Sequence, residues 1–163
     1  MSDIDRYERG LERGPANHSA LTPCDFMARA AAIYPARTAV VHGALRQSYA
    51  ETYGRCRQLA GALAERGIGL GDTVSILAPN VPAMLEAHFG VPMAGAVLNA
   101  LNIRLDAASI AGMLAHARSR VLIADAGFAG VVEDALAQMD RRPLVVAIED
   151  PAEAEGEGRG FVG

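Results

Sequence analysis

The chain has 163 residues, a formal net charge of −4, and 51% apolar residues. That length suits one domain of about 150 residues, the apolar share excludes bulk disorder, and the acidic balance argues against nucleic acid, which selects basic surfaces. All 15 basic side chains are Arg, so no lysine can form a Schiff base or act as a tuned amine.

Residues 1–21 read as a loose arm. Their opening, "MSDIDRYERG", lacks the apolar core of a leader. "LTPCDF" then opens a helix, with Thr22 at the cap, Pro23 in the first turn and Asp25 three residues after the cap. "TAVVHGALRQS" predicts a hairpin whose tight turn uses Gly43-Ala44. Ser48 and Glu51 form a capping box for the next helix, where Tyr53, Cys56, Ala60 and Leu63 recur at helical spacing. That helix stops at Gly67. The glycines of "RGIGLGD" follow a helix and precede a strand, so they mark a turn rather than a dinucleotide loop.

A repeating strand–helix pattern follows. Strands are expected at 73–78, 96–100, 121–124 and 144–148. Between them come three helices. The first starts near Pro82, with Asn80 as its cap, and is frayed by Pro92. The second is capped by Asp106, with Ile110, Met113, Leu114 and Ala117 on one face. The third runs from about Ala129 to Met139. Short apolar strands alternating with helices predict an α/β fold, a parallel sheet covered on both faces, preceded by a helix and a β-hairpin. Residues 22–148 form the folded unit, and 149–163 read as an acidic, Gly-rich loop. The apolar run around residues 73–105 is not a membrane span, which needs ~20 mostly apolar residues. Glu86, His88, Gly90, Pro92 and Gly95 interrupt it.

Recognisable chemistry is sparse. Cys24 and Cys56 are isolated and read as small core residues of a reducing, cytoplasmic compartment. The four histidines show no metal spacing, and no phosphate loop or nucleophile elbow occurs. His88 reads as a satisfied, partly buried helix residue. Arg104 follows a strand end and precedes a capped helix. Ligands of open α/β sheets bind beyond the carboxyl ends of strands, and an Arg there can grip a phosphate. A surface Arg that caps carbonyls or pairs with Asp106 is the other reading.

The stretch from "LRQSYAETYGRCRQLAGALAERGIGLGDTVSILAPN" through "AGAVLNALNIRL" to "VLIAD" resembles the amino-terminal region of adenylate-forming acyl-CoA synthetases, the AMP-dependent ligases. "APNVPAMLEAHFGVPMAG" is most similar to the short- and medium-chain acyl-CoA ligases. The resemblance implies a two-step reaction. A carboxylate attacks ATP, giving an acyl-adenylate and pyrophosphate; the CoA thiol then displaces AMP. ATP, Mg2+ and CoA are the implied cofactors of the intact enzyme, and a small carboxylic acid its substrate. It also implies that Arg104, with Asn102 and Ile103 on the same turn, contacts CoA. No catalytic and no metal-binding residue is carried over. The family's phosphate loop, ribose-binding Asp and carboxy-terminal lysine lie after the matching region. The chain is therefore expected to be an inactive amino-terminal fragment whose partner is the remainder of the same polypeptide, with no cofactor held tightly by the fragment itself. A stand-alone binding module and one subunit of a split ligase are the alternatives.

Overall fold

The computed structural model describes residues 18–149, together with Gly10, Gly14 and Ala16. The expected arm and acidic tail therefore lie almost wholly outside the described residues.

Helix α1 spans Pro23–Ile33 and begins with a reciprocal capping box between Thr22 and Asp25. Strands β1 (Thr38–His42) and β2 (Leu45–Ser48) pair antiparallel as the hairpin, with Gly43 at φ 53° in the turn. That left-handed conformation is open to glycine at little cost. Helix α2, Tyr49–Glu65, starts from the Ser48–Glu51 capping box and is followed by Gly67 at φ 68°.

The alternating part consists of β3 (Thr73–Leu77), α3 (Pro82–Met93), β4 (Val97–Ala100), α4 (Ala107–His116), β5 (Ser119–Asp125), a 3-10 turn at Ala126–Phe128, α5 (Ala129–Ala137) and β6 (Leu144–Ile148). All four strands run parallel in the order β4-β3-β5-β6. Two expectations needed correction. The cap of α3 is the buried Val81, with no side-chain hydrogen bond, and Asn80 stays exposed. Pro82 at the first helical position supplies a fixed φ and needs no donor there, so the helix can start without a polar cap. On α4, Ala111 joins Ile110 and Leu114 in the core, while Met113 is exposed.

Two apolar clusters lie on opposite faces of the sheet. Val74, Ile76, Val121 and Ile123 pack with Leu63 of α2 and with Ala87 and Val91 of α3. Leu77, Leu122 and Ala124 pack with Ile110 and Leu114 of α4 and with Val132 and Ala135 of α5. The alternation along β3 and β5 follows from the two-residue period of a strand. Each fully buried Leu or Ile contributes about 1.5–3 kcal/mol. The chain leaves β3 toward β4 and leaves β5 toward β6, in opposite directions along the sheet. That reversal opens a crevice at the carboxyl ends of β3 and β5, where ligands of such sheets settle.

Candidate functional site

Three connections frame the carboxyl end of the sheet: residues 78–81 after β3, 101–106 after β4, and 126–128 after β5. The second begins with Leu101, buried and donating its backbone N–H to the Ile76 carbonyl at 2.8 Å. Asn102, Ile103 and Arg104 then stand exposed together on one turn. The Asn102 side-chain oxygen accepts the Arg104 backbone N–H at 2.9 Å. Its backbone carbonyl accepts the Leu105 N–H at 3.3 Å. Asn102 therefore shapes the turn from its own side chain, as Asn commonly does.

Asp106 closes the turn by accepting the Ser109 N–H at 2.8 Å, which caps α4. Hydrogen bonds from Ser109 hold its carboxyl below the usual carboxylate range. Asp106 is thus engaged by the helix start, and the Arg104 guanidinium forms no ion pair with it among the described residues. The surface-pair reading of Arg104 is not what the fold adopts. An exposed guanidinium at a strand's carboxyl end is available to an anion.

The connection after β3 leads elsewhere. Val81, Met84 and Leu85 form one wall of a groove of 390 Å³, and Val40 and Val41 of the hairpin form the other. His42 and His88 also line it. His88 is exposed rather than partly buried, with Nδ1 2.8 Å from the Met84 carbonyl. The helical spacing of residues 84 and 88 explains that contact. His88 is therefore not part of the Arg104 turn.

At the end of β5 sits Asp125, 4% exposed. Its Oδ1 accepts the Gly127 N–H at 2.8 Å, while Oδ2 has no hydrogen-bond partner. Sequence reasoning passed over Asp125 because a lone Asp after an apolar strand reads as a turn residue. The pattern of a strand, a terminal Asp and a Gly two residues on is the signal that marks it. A buried polar chain was also missed: Asn99 Nδ2 donates to Ser75 Oγ at 3.0 Å, and Ser75 Oγ lies 2.6 Å from Ser119 Oγ. It ties β4, β3 and β5 together beneath α4.

Among the described residues no three His, Cys, Asp or Glu side chains gather to hold a metal ion. None of their helices is long and apolar enough to cross a membrane. The carboxyl-end turn offers one free cationic group and one self-satisfied amide. It can hold an anion.

The family described as AMP-binding enzyme matches residues 27–160. An acetate/butyrate–CoA ligase of Arabidopsis thaliana, AAE7, peroxisomal by name, is 50% identical over 155 residues, which are 91% of this chain and 26% of that protein. The acetate–CoA ligase CCL3 of Humulus lupulus is 48% identical, over 92% of this chain and 28% of its own length. Among solved structures, the N-terminal domain of FACL13 from Mycobacterium tuberculosis superposes with a TM-score of 0.71 at 26% identity, over 86% of this chain and 38% of that one. The chain spans about a quarter of the length of the curated relatives it matches. Its parallel sheet is that of the amino-terminal domain of adenylate-forming ligases, and the chain belongs to the family of AMP-binding enzymes.

Proposed function

We propose that this chain is the amino-terminal portion of an ATP-dependent acyl-CoA ligase that activates short- or medium-chain carboxylic acids. The observation that carries this reading is the near-half identity to acetate and butyrate ligases across nine-tenths of the chain, the exposed turn at 102–104 included. In the intact protein this portion supplies scaffold for the large domain and one wall of the CoA entrance.

Arg104 fits a phosphate of CoA, because its guanidinium is exposed and free of ion pairs among the described residues. Asn102 fixes the turn, and Ile103, 38% exposed, presents apolar surface beside it. The resemblance carries no catalytic or metal-binding residue onto this chain, so no chemical step is assigned to it, and by itself it should neither form the adenylate nor hold a cofactor tightly. The partner in turnover is the remainder of the ligase polypeptide. The cytoplasm is the compartment we assign to this chain. Cell fractionation separates that assignment from the peroxisomal address of the AAE7 relative.

The test has two arms. The 163-residue chain, mixed with ATP, Mg2+ and butyrate, should show no ATP–pyrophosphate exchange; measurable exchange overturns the inactive-fragment reading. In the natural protein that carries this chain, Arg104→Ala should raise KM for CoA roughly tenfold, the loss of one charge-assisted contact of about 1.5 kcal/mol. Adenylate formation, read by the same exchange assay, should stay unchanged. An unaltered KM for CoA removes Arg104 from the site.

A further inference from the structure

The opposite end of the sheet carries a feature that the ligase reading does not use. Helices α2 and α3 are each followed by a left-handed glycine, Gly67 at φ 68° and Gly95 at φ 79°. Helix α4 is followed by Arg118 at φ 50°, the single non-glycine residue with positive φ among the described residues. An L side chain is disfavoured in that conformation. The chain uses glycine for the same task twice and departs from it once, at a residue that lines a cavity.

That cavity is a groove of 490 Å³ between α4 and the stretch that follows α5. Ala111, Ala115 and Met139 give it an apolar floor, and Arg118, Arg141 and Asp140 add charge. Neither Arg forms an ion pair or a side-chain hydrogen bond among the described residues, and neither does Asp140. Two cations face one anion, so the lining is net positive. Arg118 directly precedes β5, and Arg141 lies just before β6. The groove is therefore at the amino ends of the strands, remote from the Arg104 turn.

We propose that this groove binds a small oxyanion-bearing ligand, a phosphate or carboxylate on a short apolar body. Arg118 and Arg141 hold the head group, and the Ala–Met floor takes the body. Guanidinium groups suit such oxyanions because their N–H donors form parallel pairs of charge-assisted bonds. The left-handed Arg118 is then explained by its side chain: glycine would relax the backbone and lose the contact.

Titration calorimetry with hexyl phosphate, hexanoate and inorganic phosphate tests this on the natural full-length protein saturated with a butyryl-adenylate analogue, which occupies the ligase's own acid and phosphate sites. Each of Arg118→Gly and Arg141→Gln should weaken the best of these probes at least tenfold. Comparing hexyl phosphate with hexanoate identifies the head group, and inorganic phosphate measures what the apolar body adds. Without ligand, Arg118→Gly should raise Tm, because it removes the left-handed side chain. Absence of binding in the wild type, or equal binding in wild type and both variants, overturns the proposal. So does a fall in Tm for Arg118→Gly, which would make the side chain a structural brace.

Discussion

Arg55 of α2 meets Glu86 of α3 through two hydrogen bonds, Nε to Oε1 and Nη2 to Oε2, the latter 3.0 Å long. The Glu86 side chain is 9% exposed and the Arg55 side chain 52%. The burden of desolvation therefore falls on Glu86, and its hydrogen bond pushes the Arg55 pKa up. Arg55→Ala should cost about 1–3 kcal/mol, because it leaves a buried carboxylate without a partner. The double variant Arg55→Ala/Glu86→Leu should recover most of that loss. Guanidinium-chloride midpoints of the three proteins decide it; no recovery in the double variant would mean the pair does more than neutralise itself. Beside it lies Cys56, fully buried, its thiol pushed up to about 11, chiefly by burial. A thiol with a raised folded pKa adds stability below its unfolded value, and that stability is lost as pH rises through the folded one. Stability should therefore decline above about pH 9 through this residue, and labelling of Cys56 by a thiol reagent should track global unfolding. Fast labelling in native conditions would contradict its burial.

At the scale of elements, three helices start on side-chain caps: Thr22 with Asp25, Ser48 with Glu51, and Asp106 with the Ser109 N–H. Ser48→Ala should cost about 1 kcal/mol. Hydrogen bonds hold Asp25, Glu51 and Asp106 below their ordinary values of 3.8 and 4.5. Carboxylates lowered in the folded state stabilise it above their unfolded pKa, and the gain is lost as pH falls through the folded one. Thermal unfolding should therefore sit on a plateau above about pH 5 and fall below it. Glu51→Gln should make that fall shallower; an unchanged slope would show that the cap carries no charge-dependent stability. The packing of α3 on α2 depends on Gly90. An added Cβ there would lie 2.8 Å from Leu59 Cδ2 and 2.9 Å from the Cys56 carbonyl. Gly90→Ala should destabilise by about 1–3 kcal/mol through overpacking, although Ala is the better helix former. A neutral or stabilising result, read by chemical denaturation, would mean the two helices can move apart at little cost.

For the molecule as a whole, the edge strand β6 stands out. Its register sets Leu144 and Val146 opposite Val121 and Ile123, on the face that α2 and α3 cover over β3 and β5. Yet Leu144 is 48% exposed and Val146 40%. Among the described residues no strand pairs with the outer side of β6. A bare apolar edge is prone to association, and this one disfavours the reading of a stand-alone module with a closed surface. The 163-residue chain should bind an apolar dye and self-associate, and Val146→Lys should reduce both. A monomer that ignores the dye would revive the stand-alone module.

The sequence by itself determined the elements and their order. Capping boxes, glycine stops and apolar periodicity are local signals, written within four residues of each other, and Thr22, Ser48, Gly67 and Asp106 act where such signals put them. The resemblance that led to the family rests on the same linear order of motifs. The turn at 102–104 was legible too, as residues between a strand and a capped helix, but whether Arg104 paired with Asp106 was not. The structure shows that it does not, Asp106 being taken up in the cap of α4. Only the tertiary structure decided the burial of Asp125, the Arg55–Glu86 pair, the Ser75–Asn99–Ser119 chain and the groove at Arg118. Each brings together residues from elements far apart in sequence, or depends on what else covers a side chain. Pairing, burial and a left-handed backbone at a non-glycine residue are set by the packing of the whole chain, and no local pattern encodes them.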